Sequence, residues 1–270
     1  MDQKRCCYIM ESEDESMRLD LKTDPATIKR LARWAGLKSG MRVADLGCGP
    51  GKTSFYLNEI AQPNGSTVGV DISKQRVDYA TSHYQCDGLR FVEGDIRKPL
   101  NSLGTFDFIW IRFVLEHYKS SSFEIVENSI SLLSSGGIAC LIDLDHNCLN
   151  HYGLPARLEK ALFGIMNDLR THSDFDPYSG RKLFSFLHDL NFVDIDVTLE
   201  PHHLIFGELS DVDAYNWGKK LEIAGKQSGY SFEEYEAGYD GFLAEFHNFF
   251  SSPRRFTYTP VICVRGSKTQ

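Results

Sequence analysis

Val43-Ala44-Asp45-Leu46-Gly47-Cys48-Gly49-Pro50-Gly51, followed twenty residues later by Asp71, decides the fold of this chain. The apolar run from Met41 to Leu46 suits a buried parallel strand. Three alternating glycines let the backbone turn beneath a ligand without Cβ interference, and a helix is predicted from Lys52. Thr67 to Asp71 reads as a second strand ending in a carboxylate able to accept both hydroxyls of a ribose. The arrangement describes a nucleoside-cofactor cradle.

Three ligand classes use such a cradle. Gly47-x-Gly49-x-Gly51 is tighter by one residue than the dinucleotide pattern G-x-G-x-x-G, which disfavours NAD. Gly51-Lys52-Thr53 supplies the end of a P-loop, and Ile138 to Asp143 imitates the strand and metal-holding acid of an NTPase. Leu46, however, stands where the first P-loop glycine belongs. Asp45 weighs further: an acid two residues before the bend repels a phosphate and favours an ammonium or sulfonium group. A cationic cofactor is the preferred reading, with a P-loop-like nucleotide hydrolase as the alternative.

Four ordered segments between about Thr23 and Asp143 resemble the class I S-adenosylmethionine-dependent methyltransferases. Asp45 to Gly51 is similar to the family's first motif, whose backbone packs on the methionine and ribose parts of the cofactor. Val70-Asp71-Ile72-Ser73 matches the segment whose acid takes the ribose hydroxyls. Phe91-Val92-Glu93-Gly94-Asp95-Ile96 resembles the segment whose Asp bonds the adenine amino group while the next residue flanks the ring. Phe106 to His117 resembles the fourth strand and the loop beside the transferred methyl group. The resemblance implies S-adenosyl-L-methionine as cofactor and a Rossmann-like, seven-stranded, mostly parallel sheet with helices on both faces. The closest general resemblance is to the members acting on small metabolites, which implies a small-molecule acceptor. Ile111-Arg112-Phe113-Val114 replaces the Asn/Asp-Pro-Pro-Tyr type segment of amino-methylating enzymes acting on DNA or certain proteins, while RNA and protein acceptors stay open.

Composition agrees. The 270 residues are enough for a substantial core, and 42% hydrophobic content is ordinary for a globular chain. A formal net charge of -8 argues against nucleic acid as substrate, since phosphate-backbone binding draws on Lys and Arg. Seven cysteines, including the adjacent Cys6 and Cys7, show neither zinc spacing nor a disulfide framework, so no metal is expected. The acidic run Glu11 to Glu15 reads as a solvated helix start or lid segment. With no membrane span or signal peptide legible, a reduced, soluble, cytoplasmic protein is expected. Oligomeric state is not legible.

Helices are predicted over Lys74 to Tyr84 and Phe123 to Leu133, the second ended by Gly136-Gly137, and strands over Leu89 to Glu93, Phe106 to Arg112 and Ile138 to Asp143. Further on, helices are expected over Leu154 to Leu169 and Gly180 to Leu190, and strands over Val193 to Glu200 and Phe256 to Arg265. The chain thus reads as a single domain, 1-270, with a cofactor-binding core at 23-143. Segments 144-179 and 207-255, rich in aromatics, are expected to form a helical cap over the carboxyl end of the sheet.

Direct displacement at a sulfonium methyl asks mainly for alignment and exclusion of water. His117, after the fourth strand, is the leading candidate base; His146 and His151 are weaker ones. Arg112 is placed to pair with a ligand carboxylate or to buttress Glu116 or Asp107. Arg18 is placed to reach the methionine carboxylate from a lid helix or to pair with Glu15 or Glu11. His202-His203 read as neighbours on an edge strand with side chains pointing oppositely, a poor joint metal site. Cofactor contacts are therefore expected from Asp45, Gly47, Gly49, Gly51, Asp71, Ile72, Asp95, Ile96, Arg112 and Arg18. A SAM-binding module without catalytic activity is a further alternative.

Overall fold

The computed structural model describes residues 15–269, so the Cys6-Cys7 pair and the acidic run up to Asp14 lie outside the described residues. Five parallel strands form the centre of the sheet: β1 (Arg42–Leu46), β2 (Ser66–Asp71), β3 (Leu89–Glu93), β4 (Phe106–Arg112) and β5 (Leu133–Leu144). The two-residue β6 (His151–Tyr152), β7 (Val193–Phe206) and β8 (Phe256–Ser267) complete it antiparallel. The order runs β3-β2-β1-β4-β5-β8, with both β6 and β7 pairing β8. This is the expected Rossmann-like sheet. Strand order reverses between β1 and β4, and ligands of open α/β sheets bind outside the carboxyl ends of the strands at that point.

Helices α1 (Glu15–Lys22), α2 (Pro25–Ala35), α3 (Lys52–Ala61), α4 (Lys74–Tyr84) and α5 (Ser122–Ile130) belong to this core. Local chemistry sets their ends. Asp24 accepts from the amides of Ala26 and Thr27, Pro25 follows with its fixed φ, and Gly36 closes α2 in the left-handed region. Ser73 caps α4 by accepting from the Arg76 amide. Trp110 and Phe108 on β4 are fully buried, each worth about 1.5–3 kcal/mol by removal from water.

The second half packs a separate apolar cluster. Helices α6 (Ala156–His172), α8 (Asp211–Ser228) and α9 (Gly238–Ser251) bury Trp217, Phe242, Phe246 and Phe250 among themselves, while α7 (Leu183–Asp189) supports the sheet. Three expectations change. Helix α5 stops at Ile130, and Gly136 and Gly137 lie inside β5, where register shifts against β4 and Gly136 takes φ +73°. Strand β7 runs on to Phe206 because it pairs with β8 along most of its length. Near its end, a register irregularity between His202 and Ile205, with His203 at φ 51°, brings the two imidazole rings to 3.9 Å between centroids. The histidines therefore do not point oppositely, and the described residues contain no cluster of three or more His, Cys, Asp or Glu able to hold a metal.

Candidate active site

The bend after β1 is hooked onto β2. The amides of Gly47 and Cys48 both donate to the Val70 carbonyl, at 2.8 and 2.9 Å, and the Gly49 amide donates to Asp71 Oδ2 at 2.9 Å. Gly47, Gly49 and Gly51 all have positive φ, a region costly to other residues. They differ in what surrounds them. A Cβ on Gly47 would lie 2.3 Å from Val114 Cγ2, and one on Gly51 would lie 2.6 Å from Ala80 Cβ, whereas one on Gly49 would meet only Leu19 at 3.8 Å.

A cavity of about 190 Å³ opens at the carboxyl ends of the strands above this bend. Gly47, Gly49, Asp71, Ile72, Asp95 and Ile96 line one part of it; Arg18 and Arg112 also face it. Asp71 Oδ1 accepts from the Ser73 amide and from Arg76 Nε, at 2.9 and 3.0 Å. Asp95 is gripped by Arg97 through two side-chain hydrogen bonds, which hold its carboxyl below the usual range. The Arg112 guanidinium sits 4.1 Å from the centroid of the Phe113 ring, and burial lowers its pKa to about 10. Neither carboxylate considered for buttressing serves Arg112: Asp107 accepts from the Arg42 amide, and Glu116 from Asn147.

Two expected contacts lie elsewhere. Asp45 is behind the bend rather than on the cavity wall; its Oδ2 accepts from Ser54 Oγ at 2.6 Å, and burial pushes its pKa up to about 7. Asp45 therefore does not set the charge of the cavity wall, whose acids are Asp71, Asp95 and Glu116. Gly51 also stays off the wall, acting as the tight junction between α3 and its neighbours Ala80 and Phe91. Lys52, the lysine of the P-loop near-match, donates instead to the Asp20 carbonyl at 2.8 Å and so ties α1 to α3.

The other part of the cavity is built by the turn after β4 and by the helical layer. His117 lines it with Glu116, whose Oε1 lies 3.6 Å from His117 Nε2 and whose Oε2 accepts from Asn147 Nδ2 at 2.8 Å. The Glu116 amide donates to Asp143 Oδ2, and burial beside Glu116 drives the pKa of the Asp143 carboxyl upward. Met166, Leu169, Phe175, Lys220 and Ala224 supply the wall from α6, the following loop and α8. Of the aromatics expected in the cap, Phe175 reaches the cavity, while Trp217, Phe242 and Phe246 are core. His151 is a half-buried structural residue: its ring bonds Thr257 Oγ1 and the Cys148 carbonyl, and desolvation holds its pKa down to about 4. His146 packs edge-on against Tyr178 and does not line the cavity.

Sequence reasoning did not assign Glu116, Asn147 or Lys220 to the site. Glu116 adjoins the residue that was assigned, and Asn147 follows the fifth strand as His146 does. Lys220 carries no local signal, since only the packing of α8 turns it inward.

A family model described as a methyltransferase domain matches residues 37–192. The chain is 26% identical over 224 residues to a probable (S)-tetrahydroprotoberberine N-methyltransferase 2 of Papaver bracteatum, covering 80% of this chain and 56% of that protein. The chain spans about half the length of the first curated relatives it matches. Among solved structures, a putative methyltransferase from Bacillus halodurans aligns with TM-score 0.58 at 13% identity, covering 91% of this chain and 100% of that one. The phosphoethanolamine N-methyltransferase 2 of Haemonchus contortus, solved with S-adenosyl-L-methionine, aligns with TM-score 0.53 at 14% identity over 91% of this chain and 53% of its own. At these identities the structural likeness concerns the fold.

Proposed function

The chain belongs to the methyltransferase-domain family, enzymes dependent on S-adenosylmethionine, and on that premise we propose that it methylates a small-molecule acceptor. The observation that carries this reading is that one cavity is lined by the strand-end residues Asp71, Ile72, Asp95 and Ile96 together with Glu116 and His117 of the turn after β4.

The residues present fit the cofactor. Asp71 and Asp95 offer acceptors for the ribose hydroxyls and the adenine amino group, and the side chains of Ile72 and Ile96 offer apolar surface for a flat ring. Arg18 and Arg112 offer donors for a carboxylate. The peptide groups of Gly47 and Gly49 let the ligand approach the backbone closely. When bound, S-adenosylmethionine supplies a methyl carbon already activated by its sulfonium.

The chain's own work is then alignment, exclusion of water and proton handling. His117 takes a proton from the acceptor, and the neighbouring Glu116 carboxylate, oriented by Asn147, favours the imidazolium that results. Helices α6 and α8, in segments 144-179 and 207-255, serve as a cap that shields the acceptor end with Met166, Leu169 and Phe175. The membrane plays no part in this reading, and no helix among the described residues is long and apolar enough to cross one.

The test is transfer of a radiolabelled methyl group from S-adenosylmethionine into the small-molecule fraction of a cell extract. Labelled product that depends on the protein is expected. Label appearing only in nucleic acid or protein would overturn the acceptor class, and repeated absence of product would favour a non-catalytic binding module.

A further inference from the structure

Helix α8 is amphipathic in an unusual way. Trp217, Leu221 and Ala224 mark its buried face, and Lys220 stands among them, three residues from Trp217 and four from Ala224. Its neighbours Lys219 and Lys226 behave as surface lysines do, both pairing with Glu222 on the outer face. Lys220 instead lines the cavity beside Ala224.

The Lys220 amino nitrogen is shielded from solvent and has no hydrogen-bond partner among the described residues. The Trp217 ring lies 5.5 Å from the nitrogen. Each acid on the same cavity is already engaged: Glu116, beside His117, by Asn147; Asp71 by the Gly49 and Ser73 amides and Arg76; and Asp95 by Arg97. A strong donor buried without an acceptor is destabilising, and an acceptor atom entering the cavity would relieve that.

We propose that Lys220 is the specificity-determining residue of the acceptor site and pairs with an anionic oxygen group, a carboxylate or a phosphate monoester, on the molecule to be methylated. The inference rests on the methyl-transfer reading above and names its substrate class. The helical layer, not the bend, positions Lys220, and apolar Met166, Leu169 and Phe175 share its end of the cavity. A cofactor carboxylate already has Arg18, whose helix lies against the bend through Leu19, and Arg112. The acceptor would therefore have an apolar body, an anionic terminus at Lys220 and its nucleophilic atom at His117.

The experiment measures binding of 3-phenylpropanoate and 4-phenylbutanoate, their amides, and phenethyl phosphate by calorimetry, with and without saturating S-adenosylhomocysteine. The wild type should bind at least one anion class tenfold or more tightly than the amides, and the class preferred separates carboxylate from phosphate. Lys220→Met should abolish the preference and Lys220→Arg keep it, both leaving S-adenosylhomocysteine affinity within twofold. A purely structural lysine would lower the melting temperature without touching the discrimination. The proposal is overturned by any of three results: no anion preference in the wild type, including no binding by either set; a preference that survives Lys220→Met; or loss of S-adenosylhomocysteine affinity in that variant. Failure of the wild type to bind S-adenosylhomocysteine would sink the methyl-transfer reading instead, while a Lys220-dependent anion preference would still stand.

Discussion

The Gly49 amide donates to Asp71 Oδ2 at 2.9 Å, so the glycine bend after β1 and the acid ending β2 form one hydrogen-bonded unit. Asp71 thus has two tasks: it holds the bend and Arg76, and it faces the cavity. Asp71→Ala should weaken S-adenosylhomocysteine binding by about 1.5–3 kcal/mol, roughly ten- to a hundredfold, and also lower the melting temperature. Calorimetry at a temperature where the variant remains folded separates the two effects. Unchanged affinity would contradict the ribose assignment.

The three glycines should not respond alike. Gly47→Ala and Gly51→Ala force a Cβ to within 2.3 Å of Val114 and 2.6 Å of Ala80, at positive φ, and should each cost about 3 kcal/mol or more. Gly49→Ala has room and should cost only about 1–2 kcal/mol of backbone strain while still reducing cofactor affinity at the cavity wall. Thermal melts of the three variants check the order; equal destabilisation would refute it.

Asp45 makes stability depend on pH. Its folded pKa of about 7 lies above the ordinary value of 3.8, so the folded state holds its proton more tightly. The stabilisation is fully present below 3.8 and is lost as pH rises through about 7, a change of up to about 4 kcal/mol at ~1.4 kcal/mol per unit. His151, depressed to about 4, has the opposite slope, but it is common to both proteins when variant and wild type are compared. The melting temperature of Asp45→Asn relative to wild type should therefore climb between pH 4 and pH 8. A flat difference would show that Asp45 titrates normally.

His117→Ala should leave S-adenosylhomocysteine affinity unchanged and lower kcat by about 10²–10⁴-fold, the usual worth of a positioned base. Glu116→Gln and Asn147→Ala should reduce kcat less, through the orientation of His117. Single-turnover methyl transfer with the acceptor found in the extract assay reads all three. A His117 variant of full activity would leave alignment alone to explain the rate.

Much of this architecture was legible because local and global signals coincide in the first half. Helix α4 and strands β3 and β4 fall where caps, glycines and apolar runs predict them. The cavity wall made by Asp71, Ile72, Asp95 and Ile96 was legible for the same reason, since these residues follow directly from strand ends. What sequence could not show depends on packing. Gly136 and Gly137 mimic a helix stop, yet they lie in the irregular stretch of β5 between Leu133 and Ile138, the residues that pair with β4, where both bond to the Lys268 backbone just past β8. Strand alternation fails at His202-His203 because an irregularity intervenes. Asp45 lies next to the bend in sequence but faces Ser54, and Lys220 is one of two adjacent lysines that only the docking of α8 distinguishes.

Calorimetric titration of the protein with S-adenosylhomocysteine and, separately, with ATP and magnesium distinguishes a cavity that takes an adenosyl sulfonium from one that takes a polyphosphate. Saturable, one-to-one binding of S-adenosylhomocysteine that Asp71→Ala weakens, with no heat from ATP, is the predicted result. Tight binding of magnesium-ATP with no response to the adenosyl thioether would contradict it.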